Sequence, residues 1–245
     1  MDTLKICHLY PDTLNLYGDR GNILCMKKRM EWRGLPVEIA EISVGEHFDP
    51  YDYDIYFIGG GQDFEQEVLL KDLAGEKGAA IKRAVDEEKV FLTICGGYQI
   101  LGNYYKTWDG VQCDFLGAID VYTVGEKKRM VGDFMFQLSE EDGGSIVTGF
   151  ENHSGKTYLG KDVRPLGIIL RGHGNNGEDG TEGARFKNVF ASYSHGPLLP
   201  KNPKLCDFIL KTALARKDPN ISLKALDDTF ENRAAAFMEK RLSAE

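Results

Sequence analysis

Residues 91–102 read Phe91-Leu92-Thr93-Ile94-Cys95-Gly96-Gly97-Tyr98-Gln99-Ile100-Leu101-Gly102. An apolar run ends on a cysteine, two glycines follow, and a helical pattern begins at once. A nucleophile elbow has this pattern: the reactive atom stands on a tight turn, and small neighbours let backbone and substrate approach. Helix-start N–H groups beyond the turn favour a thiolate and can receive an oxyanion. The same pattern also fits a buried structural cysteine beside a glycine-rich strand–helix turn, because free cysteine packs as a small hydrophobe.

A thiolate nucleophile needs a base, normally histidine. Of the five histidines, His195 ends the last core-strand pattern, at the edge where parallel α/β sheets place their ligands. His153 and His173 lie in glycine-rich segments that can line the same mouth, whereas His8 and His47 have no special context. No two His or Cys residues stand at ligand spacing on one element, so no metal is expected. Gly59-Gly60-Gly61 follows a strand pattern and reads either as an anion cradle or as an ordinary tight turn. Ser154-Gly155-Lys156-Thr157 is not a phosphate loop, since the glycine required five residues before Gly155 is Phe150.

The elements that must hold these residues are legible in the periodicity. Short apolar runs at Leu4–Tyr10, Val37–Ile42, Asp54–Ile58 and Val90–Ile94 alternate with helical patterns at Gly21–Arg33 and Phe64–Glu88. The second pattern is expected to break at Gly75 and Gly78. Such alternation predicts an α/β fold with a mostly parallel central sheet flanked by helices. From Leu116 onward glycines are denser, and Ala118–Thr123, Met130–Leu138, Ile146–Phe150, Leu166–Arg171 and Phe186–Ser192 read as strands. Gly172–Gly183 reads as a loop, and Lys204–Arg216 as a helix. Leu223–Leu242 reads as a second helix, with Leu223, Leu226, Phe230, Phe237 and Met238 on one stripe.

The 245 residues carry a net charge of −8 and 42 % hydrophobic residues. A chain of this length buries about 70–75 % of its unfolded surface without disulfides or structural metal. Its acidity argues against nucleic acid and against anionic lipid. The mean hydropathy of −0.34 and the lack of a long apolar run predict no membrane insertion. The N-terminus reads as no signal peptide, and the five scattered cysteines suggest a reducing, cytoplasmic setting.

Taken together, the Ile94–Gly102 run, the Gly59-Gly60-Gly61 turn and the late His195 resemble class I glutamine amidotransferase domains of the cobyric acid synthase type. Leu14-Asn15-Leu16-Tyr17-Gly18-Asp19-Arg20-Gly21-Asn22, Glu151-Asn152-His153-Ser154-Gly155-Lys156-Thr157 and Gly174-Asn175-Asn176 narrow the likeness. They resemble stand-alone glutaminase subunits that serve a lipid II-amidating synthetase. The resemblance implies a flavodoxin-like amidotransferase domain over residues 1–215, with 216–245 as a helical extension packed on the domain or on a partner.

It further implies that Cys95 attacks the side-chain amide of L-glutamine and His195 moves the protons, with backbone N–H groups at Gly60 and Gly96 receiving the oxyanion. Gln99 matches the family position that shapes the glutamine pocket, and Arg129 the arginine that pairs with its α-carboxylate. The implied partner is a Mur-ligase-like synthetase subunit (MurT type) that carries ATP and Mg; no cofactor is expected in this chain. One departure stands out. The family's glutamate two residues after the histidine is Pro197 here, leaving a Cys-His dyad and the expectation that a partner supplies an acid or orders the site. Two alternatives stay open: a glutaminase for another ATP-dependent synthetase, such as the cobyrinate type, and an inactive scaffold of the same fold.

Overall fold

Leu4–Leu9 (β1) is buried at every position except Lys5, as a parallel strand covered on both faces must be. The computed structural model describes residues 2–61 and 69–244. After β1 come α1 (Arg20–Trp32), β2 (Val37–Ile42), β3 (Ile55–Ile58), α2 (Glu76–Asp86), β4 (Val90–Ile94) and α3 (Gly96–Leu101). The middle of the chain forms β5 (Tyr104–Lys106), β6 (Gln112–Asp114), β7 (Val121–Leu138), β8 (Ile146–Leu159), β9 (Gly167–Arg171) and β10 (Thr181–Glu182). It ends with β11 (Ala184–Phe186), β12 (Val189–Ser192), α4 (Leu198–Lys201), α5 (Pro203–Ala215) and α6 (Thr229–Ala244).

The first sheet has the order β11-β12-β4-β3-β1-β2. All its pairs are parallel except the β11 edge, so the fold is the expected α/β architecture. From β1 the chain steps outward to β2, then returns to β3 on the other side of β1. Order reverses there, and a crevice opens beyond the carboxyl ends of β1 and β3, the place where such sheets bind ligands. A second sheet, β10-β9-β7-β5-β6 with β8 on β7, is antiparallel except for β5 beside β7. An isolated bridge between Phe150 and His195 joins β8 to the first sheet's crevice.

Several elements differ from the sequence expectation. Ala118–Thr123 and Met130–Leu138 are not two strands: β7 runs unbroken from Val121, with a register shift between Gly125 and Met130. Its partner β8 continues well past Phe150. Glu151, His153, Gly155 and Thr157 point inward in alternation, and these buried polar residues hid the strand from a search for apolar alternation. Phe186–Ser192 is a hairpin, because Lys187 takes φ 48° and turns β11 back into β12. Gly75 does break the 64–88 pattern, at the start of α2, but Gly78 lies inside that helix, where a Cβ would strike the Leu73 carbonyl. Residues 64–68 of that pattern lie outside the described residues.

The expected apolar stripe near the C-terminus also fails. Asp227 accepts the Thr229 backbone N–H at 3.1 Å and its hydroxyl at 2.5 Å, a cap that starts the helix six residues later than Leu223. Phe230 and Phe237 are then 78 % and 67 % exposed, and Leu242 is the buried residue. Among the described residues, no helix is long and apolar enough to cross a membrane.

Candidate active site

Cys95 sits between β4 and α3 with φ 50° and ψ −105°, backbone space that non-glycine residues occupy at a cost of about 1–3 kcal/mol. Three bonds impose it. Cys95 N–H donates to the Ser192 carbonyl at 2.9 Å, Gly97 N–H to Gly59 at 3.1 Å, and Gln99 N–H to the Cys95 carbonyl at 3.0 Å. Gly97 permits the close approach, since a Cβ there would meet the Ile58 carbonyl at 2.5 Å. Cys95 is 8 % exposed, and Gly96 opens α3, so its N–H has no carbonyl of an earlier helical turn to bind.

Beyond β12, His195 is clamped by its backbone, whose N–H donates to Phe150 of β8 at 2.8 Å. The imidazole is fully buried. Its Nδ1 lies 3.2 and 3.4 Å from the two carboxylate oxygens of Asp19, a residue that is itself fully buried at the entrance to α1. Nε2 has no hydrogen-bond partner among the described residues, which leaves it to Cys95. Burial works against a charged ring, but Cys95 and Asp19 outweigh it and push the His195 pKa up to about 10. Upstream, burial also lifts the Glu182 carboxyl to about 7. Glu182 accepts bonds from Ser192 Oγ at 2.7 Å and Tyr193 N–H at 2.8 Å, fixing the approach to His195.

Gly60 lies between Cys95 and His195. A Cβ on it would stand 2.5 Å from His195 Cε1 and 3.4 Å from Cys95 Cβ. Its N–H donates to Asp19 Oδ2 at 2.9 Å, so here that amide serves the carboxylate instead of standing open to an oxyanion. Gly60→Ala is expected to displace the imidazole and lower kcat by about 10²-fold, the cost of roughly 1 Å of misplacement. Steady-state glutamine hydrolysis beside a melting curve checks this; unchanged kcat in a folded protein would contradict it.

The remaining expected residues surround this centre. Arg129, at the β7 register shift, donates through Nε and Nη2 to the side chain and backbone carbonyl of Asn152, both at 2.8 Å. The Asn152 amide donates to the Tyr17 hydroxyl, and the Tyr17 ring covers His195 at 4.9 Å between centroids. Arg129 is thus linked to the mouth of the site. Gln99 turns inward, donating to the Tyr193 hydroxyl at 3.0 Å; His153 stacks on the same Tyr193 ring at 3.7 Å.

Sequence reasoning missed Asp19, Tyr17 and Glu151. Asp19 stands beside His195 although the sequence reading identified no acid of this chain there. Glu151 accepts the backbone N–H groups of His173 and Gly174 at 2.9 and 3.0 Å, stapling the glycine-rich loop to β8. Both acids lie in motifs that carried the family resemblance, so their positions were marked but their partners were not.

The CobB/CobQ-like glutamine amidotransferase domain family matches residues 5–203. The lipid II isoglutaminyl synthase (glutamine-hydrolyzing) subunit GatD of Streptococcus pneumoniae is 42 % identical over 95 % of this chain and 89 % of its own length. The subunit of the same name from Staphylococcus aureus is 40 % identical over 98 % of this chain and 97 % of its own. Among solved structures, a chain of PurLQS from Thermotoga maritima superposes with a TM-score of 0.59 at 13 % identity, covering 88 % of this chain and 99 % of that one. At that identity the likeness speaks for the fold alone.

Proposed function

Because the chain belongs to the CobB/CobQ-like glutamine amidotransferase family, we propose that it is the glutaminase subunit of a synthase that amidates the D-glutamate of lipid II. The observation that carries this reading is its end-to-end similarity to the two GatD subunits, coupled with an intact pair of Cys95 and His195 flanking Gly60. The Cys95 thiolate attacks the side-chain amide carbon of L-glutamine, forming a C–S bond and a tetrahedral oxyanion. Gly96 N–H, at the open start of α3, receives the developing charge. His195 then gives its proton to the departing nitrogen, the C–N bond breaks, and ammonia leaves behind a glutamyl thioester. Water, deprotonated by His195, attacks the thioester; glutamate and the thiolate are released.

Arg129 holds the glutamine α-carboxylate, its fork oriented by Asn152 before substrate arrives. Gln99, fixed by Tyr193, shapes the inner wall of the pocket. Arg129→Lys keeps the charge but loses the fork. The expected result is a KM for glutamine raised about tenfold or more with kcat changed only a few-fold. Initial-rate kinetics across glutamine concentration distinguish this from a merely solvated surface arginine, which would leave KM unchanged.

Ammonia made here needs an activated carboxylate. We assign that step to a Mur-ligase-like, MurT-type subunit in the cytoplasm that binds ATP and Mg. The test combines the full chain, that subunit, ATP, Mg and lipid II. Glutamate and amidated lipid II forming in equal amounts would support the reading. Glutamine hydrolysis without lipid II amidation, but with amidation of a cobyrinate acceptor by a different synthetase, would overturn the acceptor assignment. No hydrolysis in any combination would overturn the enzyme reading itself.

A further inference from the structure

We propose that Cys25 of α1 and Cys206 of α5 form a redox-responsive dithiol site, which peroxide closes into a disulfide that staples the two helices. The inference goes beyond the glutaminase reading and does not depend on it. The two sulfurs lie 3.8 Å apart, and both cysteines are free thiols. A disulfide needs about 2.05 Å between sulfurs. The pair must therefore close by about 1.8 Å in all, a movement that two small χ1 rotations share.

Access and acidity divide the two thiols into distinct roles. Cys25 is half-buried and lies on the wall of an open cavity of about 340 Å³, among Leu24, Trp32, Leu199, Pro200 and Pro203. Cys206 is fully buried behind it, so a small oxidant meets Cys25 first. The hydrogen bond with Cys206, helped by the Arg29 guanidinium, outweighs burial and holds the Cys25 thiol below its ordinary pKa. Burial pushes the Cys206 thiol well above that value. The thiolate is the form that oxidants attack, and the Cys25 thiolate faces a neighbour that keeps its proton. Cys7 has neither advantage: it is fully buried, and burial pushes its thiol up.

The chemistry is a two-step oxidation. The Cys25 thiolate attacks hydrogen peroxide; an S–O bond forms, the O–O bond breaks, and hydroxide leaves with the proton that Cys25 had released, as water. Cys206 then attacks the sulfenic sulfur of Cys25. The S–S bond forms, the S–O bond breaks, and the Cys206 proton leaves with the departing hydroxide as a second water. Two thiols have lost two electrons, and the peroxide has gained them. The bond lands in the middle of a seam. Along one face of α1, at four-residue spacing, Gly21 meets the Pro197 ring, Cys25 meets Cys206, and Arg29 bonds Asp207. The Asn22 side chain also accepts the Leu199 N–H at 2.8 Å. This seam holds the segment that follows His195. The disulfide ties positions 181 residues apart, and so removes conformational freedom from the unfolded chain.

The test uses the full chain carrying Cys95→Ala, so that Cys95 does not consume the oxidant. After treatment with an equimolar amount of hydrogen peroxide, the remaining thiols are alkylated and the peptides are read by mass spectrometry. The expected product links Cys25 to Cys206 and leaves Cys7 and Cys113 reduced. Tm should rise by about 5 °C and return to its starting value with dithiothreitol. Adding Cys206→Ser should abolish the link and the rise in Tm. Cys25, left without a resolving thiol, should then accumulate about tenfold more sulfinic acid. If Cys206→Ser does not fold, Cys25→Ser, at the half-buried position, supplies the control and should likewise show no rise. Both thiols still open to alkylation after peroxide, a link between other cysteines, or a 25–206 link with unchanged Tm would each overturn the inference. None of these outcomes touches the glutaminase reading, because no glutamine is turned over in the measurement.

Discussion

Replacing Cys95 by alanine is expected to reduce glutamine hydrolysis by about 10⁴-fold or more, to the assay background. Among the described residues no other group in the site stands where it can form the thioester, and a well-placed His195 cannot compensate for a missing sulfur. A second substitution makes the same position informative about stability. Cys95 holds φ 50°, so alanine keeps the strain that cysteine bears, whereas glycine relieves it. Cys95→Gly should be as inactive as Cys95→Ala yet more stable than it, by about 1 kcal/mol. Ammonia release together with denaturant unfolding of both variants tests the pair. Glycine melting below alanine would mean the elbow is not strained by its sulfur-bearing residue.

The largest expected stability effect lies away from the chemistry. Arg29 on α1 is 2 % exposed and bonds Asp207 of α5 through Nε and Nη2, both at 2.7 Å. It also bonds Asp228, in the run before α6, at 2.6 and 2.9 Å. Arg29→Ala would leave two partly buried carboxylates facing a void, with only Arg33 still on Asp207 at 2.6 Å. Breaking a buried ion pair from one side costs about 3–5 kcal/mol, which for a chain of this length lowers Tm by roughly 10 °C.

The effect should depend on pH in a defined direction. Burial tends to raise the Asp207 pKa, but the bonds from Arg29 and Arg33 overcome it and hold the carboxyl below its ordinary value. A depressed folded-state pKa contributes stability above the unfolded value of about 3.9, and that contribution fades as pH falls through the folded value. The gap between wild type and Arg29→Ala should accordingly narrow below about pH 4. A Tm difference independent of pH would show that packing, not charge, accounts for the loss.

What could be read from the sequence depended on how far apart cause and partner lie. Val90–Ile94 and the Cys95 turn are local: an apolar strand, a cysteine and two glycines specify both the element and the exposed position. His195 was recognisable from the strand before it. Asp19 was not, because its partner is 176 residues away and its own neighbourhood reads only as the start of a helix. β8 was cut short because its inward positions are Glu151, His153 and Thr157, polar residues satisfied by partners the pattern does not show: the 173–174 loop for Glu151, Thr123 and Tyr193 for Thr157, and the Tyr193 ring beneath His153. The C-terminal stripe was overread for the opposite reason: apolar residues at helical spacing marked a face, yet the Asp227 cap and the Arg29–Asp228 pair determined where the helix starts and how it is tethered.

The long β8 strand has a consequence for the history of each molecule. It presses Phe150 on His195, sets Arg129 through Asn152 and anchors the glycine-rich loop through Glu151, so one rod touches most parts of the site. Asp19 and Cys95 emerge early in synthesis, but His195, the proposed base, follows 176 and 100 residues later, once this rod has paired with β7. Closing such distant contacts comes late in folding. On the proposed mechanism a half-made or partly unfolded chain would hold an idle thiol, and glutamine would be safe from it until the last core strand is in place.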